Sequence, residues 1–160
     1  MLRDWGAERK YHHDLKGFNY RMEGMQGAIL GVKLHYLEQW TEARRAHASR
    51  YDSLLRGSGV ETPAVMSYSR HVYHIYGVRT PRRDALQQRL TTLGIQTGLH
   101  YPIPVHLLKA YADLGYTRGD FPHSEHAAAE VLSLPMYAEL SDAQIEEVSA
   151  AIAENAYVGG

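Results

Sequence analysis

Cysteine is absent from this 160-residue chain. That excludes a disulfide framework, thiolate nucleophiles and any zinc site that relies on sulfur ligands. An excess of one charge is missing too: 17 Lys and Arg stand against 18 Asp and Glu, for a formal −1. No polybasic field is available to grip nucleic acid or an anionic membrane, so neither is expected as a partner. No apolar run approaches the ~20 residues that span a bilayer. The opening Met1-Leu2-Arg3-Asp4-Trp5-Gly6 lacks the apolar core of a signal peptide, and the expectation is an unprocessed, cytoplasmic protein. There is no Gly-x-Ser-x-Gly elbow and no Gly-rich phosphate loop of Walker or Rossmann type, so self-contained catalysis has no obvious seat. Only 2 Phe and 2 Trp are present, against 12 Tyr and 10 His. Tyrosine and histidine join an apolar body to a hydrogen-bonding tip, which suits wet interfaces and ligand pockets.

Residues 1–18 are polar and mixed in charge, without sustained periodicity, and read as an arm that would be mobile alone. From Tyr20 to about Arg56, Met22, Met25, Ile29, Val32, Tyr36, Trp40 and Ala43 recur at three- and four-residue steps, the mark of one long helix or two nearly collinear ones. The domain reading is therefore an arm over 1–18, a long linking helix over 19–56 and a small domain over 57–160. Gly24, Gly27 and Gly31 lie at helical spacing, and each glycine costs about 1 kcal/mol against alanine unless another backbone passes close by. Tight packing on that face, against another domain or subunit, is the expectation.

Further on, Val60 to Thr62, Val72 to Val78 and Ile95 to Tyr101 read as extended. Thr80-Pro81 starts a helix with Leu86, Leu90 and Leu93 as its buried stripe, and Gly94 stops it. Pro102 and Pro104 force an extended loop. A short helix over His106 to Leu114, another from Ser124 to about Leu132, and a terminal helix led by a Ser141/Gln144 capping box follow. Strands amid helices without regular βαβ alternation predict an α+β fold, with a small antiparallel sheet packed with helices.

Two clusters could carry chemistry. Asn19 and Arg21 sit where the polar arm meets the apolar helix, and a helix N-terminus favours anions through its free N–H groups. Asn19 could equally cap the helix, with Arg21 a solvated first-turn residue. His100 and Tyr101 deliver two hydrogen-bonding tips just before the rigid Pro102-Ile103-Pro104 loop, a geometry suited to a ligand wall or to an ordinary half-buried strand end. His106 could orient the following helix or face the same pocket. The close histidine pairs His71/His74, His100/His106 and His123/His126 carry no zinc spacing, and no metal is expected.

Five ordered stretches carry a resemblance that spacing does not. They are Leu2-Arg3-Asp4-Trp5-Gly6, His13-Asp14-Leu15 leading into Gly17-Phe18-Asn19-Tyr20-Arg21-Met22, Gly94-Ile95 with His100-Tyr101-Pro102-x-Pro104-x-His106, Ala110-Tyr111, and Leu132-Ser133-Leu134-Pro135-Met136. Together they resemble the C-terminal part of the sugar-nucleotide aminotransferases of the DegT/DnrJ/EryC1/StrS family. The resemblance implies the small C-terminal domain of a fold type I enzyme dependent on pyridoxal 5′-phosphate (PLP), preceded by the end of the large cofactor domain. It also implies a homodimer with shared active sites. In that setting Asn19 binds the cofactor phosphate, and Arg21, His100, Tyr101 and His106 bind substrate. The reaction would move an amino group from an amino acid, usually glutamate, to a UDP- or dTDP-linked keto-sugar in amino-sugar, polysaccharide or antibiotic biosynthesis. The cofactor lysine would lie upstream of Met1, since Lys10, Lys16, Lys33 and Lys109 stand in no such context. No catalytic residue is expected in this chain, and exposed apolar surface with self-association is. The alternative is a non-catalytic nucleotide-sugar-binding or partner subunit.

Overall fold

Two glycines decide how the first twenty residues fold. A Cβ at Gly17 would fall 2.1 Å from the amide nitrogen of Gly6, and one at Gly6, where φ is +74°, would fall 1.8 Å from the carbonyl oxygen of Leu15. Two main chains therefore cross at a distance that only glycine permits. Around this crossing Trp5 N–H donates to Phe18 O (3.0 Å), Phe18 N–H to Leu2 O (2.8 Å) and Tyr20 N–H to Arg3 O (2.9 Å). The strands β1 (Ala7–Arg9) and β2 (His12–His13) form an antiparallel hairpin. The stretch expected to be a mobile arm is thus a hydrogen-bonded structure in this computed structural model, which describes residues 1–157; the last three positions of the domain assigned to 57–160 lie outside them.

The chain divides into two compact units, Met1–Glu38 and Gln39–Gly160. The division falls inside the stretch over 19–56 read as one long helix or two, and the structure has two there, α1 (Gly24–Leu34) and α2 (Leu37–Leu54). Where α1 ends, the bonds tighten to His35 N–H on Val32 O and Tyr36 N–H on Lys33 O, the narrower turn that closes many helices. Its start lies five residues beyond Asn19, because Glu23 and Gln26 form the capping box, with Glu23 N–H on Gln26 Oε1 at 2.9 Å. Asn19 does not cap the helix; it is held in an antiparallel bridge to Asp4. No residue of α1 is buried, and no atom beyond the helix itself comes within 4 Å of a Cβ built on Gly24 or Gly31. The expected glycine-face packing is not made within the described residues. Met22, Met25, Ile29 and Val32 are exposed.

In the second unit β3 (Tyr76–Arg79) pairs antiparallel with β4 (Val131–Leu134), in the register Tyr76 with Leu134 and Arg79 with Val131. The helices are α2, α3 (Arg83–Thr92), α4 (Pro122–Glu130) and α5 (Asp142–Tyr157), with two 3₁₀ segments at Val105–Leu107 and Lys109–Leu114. The α+β class and its small antiparallel pairing follow the sequence, but three boundaries move. Strand β3 begins only at Tyr76, after Tyr73 takes a positive φ of 48°. Ile95 to Tyr101 contributes one bridge, Gly98 to Ser133, in place of a full strand. Residues 131 and 132, read as helical, open β4 instead, since the backbone turns extended at Val131 (ψ 135°) and the apolar run finds its hydrogen bonds on β3.

The core gathers Tyr51 of α2 and Leu55 just beyond its end, Tyr76 and Val78 of β3, Leu86 and Leu90 of α3, Leu132 and Leu134 of β4, and Ile145, Val148 and Ile152 of α5. Leu93, expected in the same stripe, is exposed, because the helix closes at Thr92 and Gly94 reverses the chain. Polar groups of α2 tie down irregular backbone: Arg44 Nη1 donates to Met136 O (2.9 Å), Arg45 Nη1 to His71 O (2.9 Å) and Tyr51 Oη to Pro135 O (3.2 Å). Ser141 and Gln144 make the anticipated capping box, Ser141 N–H on Gln144 Oε1 (2.9 Å) and Gln144 N–H on Ser141 Oγ (3.3 Å). Leu132 is wholly buried and Leu30 half-exposed. Leu132→Ala is expected to lower unfolding free energy by about 2–5 kcal/mol, and Leu30→Ala to change it by no more than about 0.5 kcal/mol, both read from urea denaturation followed by circular dichroism.

Candidate functional site

Each unit holds a cleft of ligand size. In the first, about 740 Å³ is lined by Lys10, Lys16, Arg21, Tyr11, His13 and Asp4, among others. Three cations face one carboxylate, a donor set that suits an anion. Arg21 is aimed by two acceptors, its Nε lying 3.2 Å from Asn19 Oδ1 and 3.4 Å from Asp4 Oδ1. The bridge between Asp4 and Asn19 brings both acceptors to one place. The structure therefore brings Asn19 and Arg21 together, as the sequence suggested. It does so through the strand-like bridge and not at the N-terminus of α1, where the Glu23 carboxylate accepts the Gln26 N–H. Lys10 Nζ lies over the Tyr11 ring, 5.0 Å from its centroid, and His13 Nδ1 lies 3.1 Å from Trp5 O.

The second cleft, about 790 Å³, falls within the usual size range of small-molecule sites, about 300–1,000 Å³. His100, Tyr101, Tyr111, Tyr116 and Phe121 give it an aromatic lining, with Pro104, Val105 and His106 on the loop and Arg79 of β3 beside them. His100 Nδ1 lies 2.9 Å from Ser133 Oγ on β4, which anchors the ring. Gly98 makes room for it, since a Cβ there would sit 2.7 Å from His100 Cε1. The His100–Tyr101 peptide bond is cis. The Tyr101 and His100 rings meet edge-on, centroids 5.7 Å apart, and Tyr101, a lining residue of the cleft, is 74% exposed.

His106 is placed differently. Its Nε2 lies 3.1 Å from Glu125 Oε1, and the two side chains are only 8% and 13% exposed. Phe121 packs edge-on against the imidazole (4.8 Å) and Tyr116 against Phe121 (5.1 Å). Glu125 Oε1 also accepts Gly119 N–H at 2.8 Å. Its carboxyl is held below the ordinary carboxylate value, first by the Gly119 N–H and then, against an opposing effect of burial, by the His106 bond and the Phe121 backbone. Sequence reading gave no site role to Glu125, Ser133 or the Tyr111/Tyr116/Phe121 wall, although Tyr111 and Ser133 fall within the stretches that carry the family resemblance. Among the described residues no group of three or more His, Asp or Glu could hold a metal ion, and no helix is long and apolar enough to cross a membrane.

The fold that carries these two clefts is a known one. Residues 1–153 match the DegT/DnrJ/EryC1/StrS aminotransferase family, and the chain belongs to that family. It is 45% identical over 157 residues to a "pleiotropic regulatory protein" of Geobacillus stearothermophilus, covering 96% of this chain and 42% of that one. To the dTDP-3-amino-3,4,6-trideoxy-alpha-D-glucose transaminase of Streptomyces venezuelae it is 41% identical, covering 96% of this chain and 41% of the transaminase. The crystal structure of S. venezuelae DesV in complex with a ketimine intermediate superposes with a TM-score of 0.90 at 41% identity, over 98% of this chain and 43% of that one. The chain thus spans somewhat over two-fifths of the length of these relatives.

Two outcomes test the geometry. Gly98→Ala should swing the His100 imidazole off Ser133, seen as a changed His100 Cε1–H resonance in heteronuclear NMR, with the β3/β4 resonances in place. For Glu125 the native value is the lowered one. The stabilisation from its bonds is therefore complete above its ordinary value of 4.5 and is lost as the pH falls through the lower native value. The Gly119 amide shift, followed from pH 7 downward, should titrate with a midpoint under the ordinary value and stop titrating in Glu125→Gln.

Proposed function

We propose that this chain supplies the C-terminal part of a PLP-dependent aminotransferase that moves an amino group from an amino acid, glutamate in the first instance, to the keto carbon of a UDP- or dTDP-linked sugar. The observation that carries the proposal is the aromatic cleft behind His100 and Tyr101, set in a chain that matches the family over residues 1–153. Tyr101 offers a ring face to the base, worth about 1–3 kcal/mol for a stacked nucleotide. His100, anchored through Nδ1, presents Nε2 to the sugar or diphosphate. His106 backs the same wall.

The residues of the first unit fit the phosphate end of PLP: Asn19 and Asp4 hold Arg21 at the edge of a cleft that also carries Lys10 and Lys16. Asn19 is assigned to the cofactor phosphate and Arg21 to substrate phosphate. PLP, when bound, supplies the electron sink for moving the amino group. The part of this chain is to bind, orient and neutralise anionic groups. Homodimerisation with shared sites and a cytoplasmic location belong to the same proposal, the first supported by the exposed apolar residues of α1.

A second reading, a non-catalytic nucleotide-sugar-binding or partner subunit, draws on the aromatic cleft's being formed wholly within the second unit. The intact mass of the native protein separates the two. A mass more than twice 18.1 kDa supports the aminotransferase, and 18.1 kDa itself supports the subunit. For either, calorimetry with UDP and dTDP should show saturable binding by the second unit's cleft, and Tyr101→Ala should weaken it about tenfold, the equivalent of ~1.4 kcal/mol. Unchanged affinity in that variant removes Tyr101 from the site.

A further inference from the structure

The loop that carries Tyr101 is pinned at both ends. At its start His100 Nδ1 lies 2.9 Å from Ser133 Oγ; at its end His106 Nε2 lies 3.1 Å from Glu125 Oε1. The second pin reaches further, because the same Oε1 accepts Gly119 N–H at 2.8 Å. One oxygen in the first turn of α4 therefore joins the end of the Pro102–Pro104 loop to the turn that precedes Phe121. Glu125 does not itself line the aromatic cleft, whereas His106, Tyr116 and Phe121 do.

We propose that Glu125 is a positioning residue for the nucleotide-sugar cleft: by tying His106 to Gly119 it fixes the loop and the Tyr116/Phe121 wall at the spacing that admits the ligand. The inference rests on the cleft reading of the preceding section. A carboxylate that is only 13% exposed is a costly choice unless its charge is met by good donors, and here an N–H and an imidazole converge on one oxygen. An ionised carboxylate only accepts, so His106 carries its proton on Nε2, and the tautomer as well as the ring plane is set by Glu125. The edge-on ring chain from His106 to Phe121 to Tyr116, with centroid distances of 4.8 Å and 5.1 Å, then hands that orientation to the wall. Removing the carboxylate leaves the His106 imidazole and the Gly119 N–H without their shared acceptor and frees the 115–121 turn, while β3 and β4 keep their pairing.

The test uses the full 160-residue chain, UDP and dTDP as probes, and amide hydrogen exchange. Glu125→Ala should weaken UDP binding about tenfold (~1.4 kcal/mol) and speed exchange over residues 115–121, with β3 and β4 protected as in the wild type. Glu125→Gln, whose Oε1 can accept both bonds, should bind within about twofold of the wild type, which a role for the charge alone would not allow. His106→Phe keeps a ring, removes the donor and should reproduce the Glu125→Ala loss. It decides the matter if Glu125→Ala fails to fold. Wild-type affinity in Glu125→Ala and His106→Phe overturns the positioning role and leaves the cleft reading in place. No binding of either nucleotide by the wild-type chain overturns the cleft reading, and this role with it.

Discussion

Ser133 is the residue on which the second unit turns. Its backbone bonds pair β4 with Gly98, its position in the register lies opposite Gly77 of β3, and its hydroxyl meets His100. Because the neighbouring Leu132 and Leu134 point into the core while Ser133 reaches the segment before the loop, one short strand ties the packing of α3 and α5 to the placement of His100, which lines the second cleft. The period-2 alternation of a strand makes this possible: two apolar side chains go one way and one polar side chain the other.

The two clefts recruit their chemistry by different routes. In the first unit a backbone crossing at Gly6 and Gly17 fixes the register that sets Asp4 beside Asn19, and the pair then orients Arg21. Most of the side chains involved are exposed, so their individual ion pairs add little to stability, and their value lies in holding a cation ready. In the second unit the polar groups sit beneath aromatic rings, where an unmet donor is expensive and hydrogen bonds fix geometry. The first cleft is a surface for charge, the second a shaped wall.

Much was legible because local rules were strong. The Ser141/Gln144 capping box, the Leu86/Leu90 stripe and the stop at Gly94 each follow from interactions within one turn of chain, and each is present. The readings that failed depended on partners far away. Nothing near Ile95 says that only Gly98 will reach a neighbouring strand, and nothing near Glu130 says that the next four residues will leave the helix to pair with β3. Asn19 looked like a cap because it precedes an apolar run, but its bridge partner Asp4 lies fifteen positions back and claims it first.

The sequence by itself determined the class of the protein: its α+β elements, the family resemblance of five ordered stretches, and Asn19, Arg21, His100 and Tyr101 as residues of interest. The elements and the candidate residues follow from residue type and short spacing, and the family from the resemblance of the stretches taken together. Tertiary structure alone decided that Asp4 shares Arg21 with Asn19, that Ser133 holds His100, and that Glu125 joins His106 to Gly119. Those pairings cross from six to thirty-three positions of chain, and only the closing of the fold brings such distant hydrogen-bonding groups within 3.5 Å of one another.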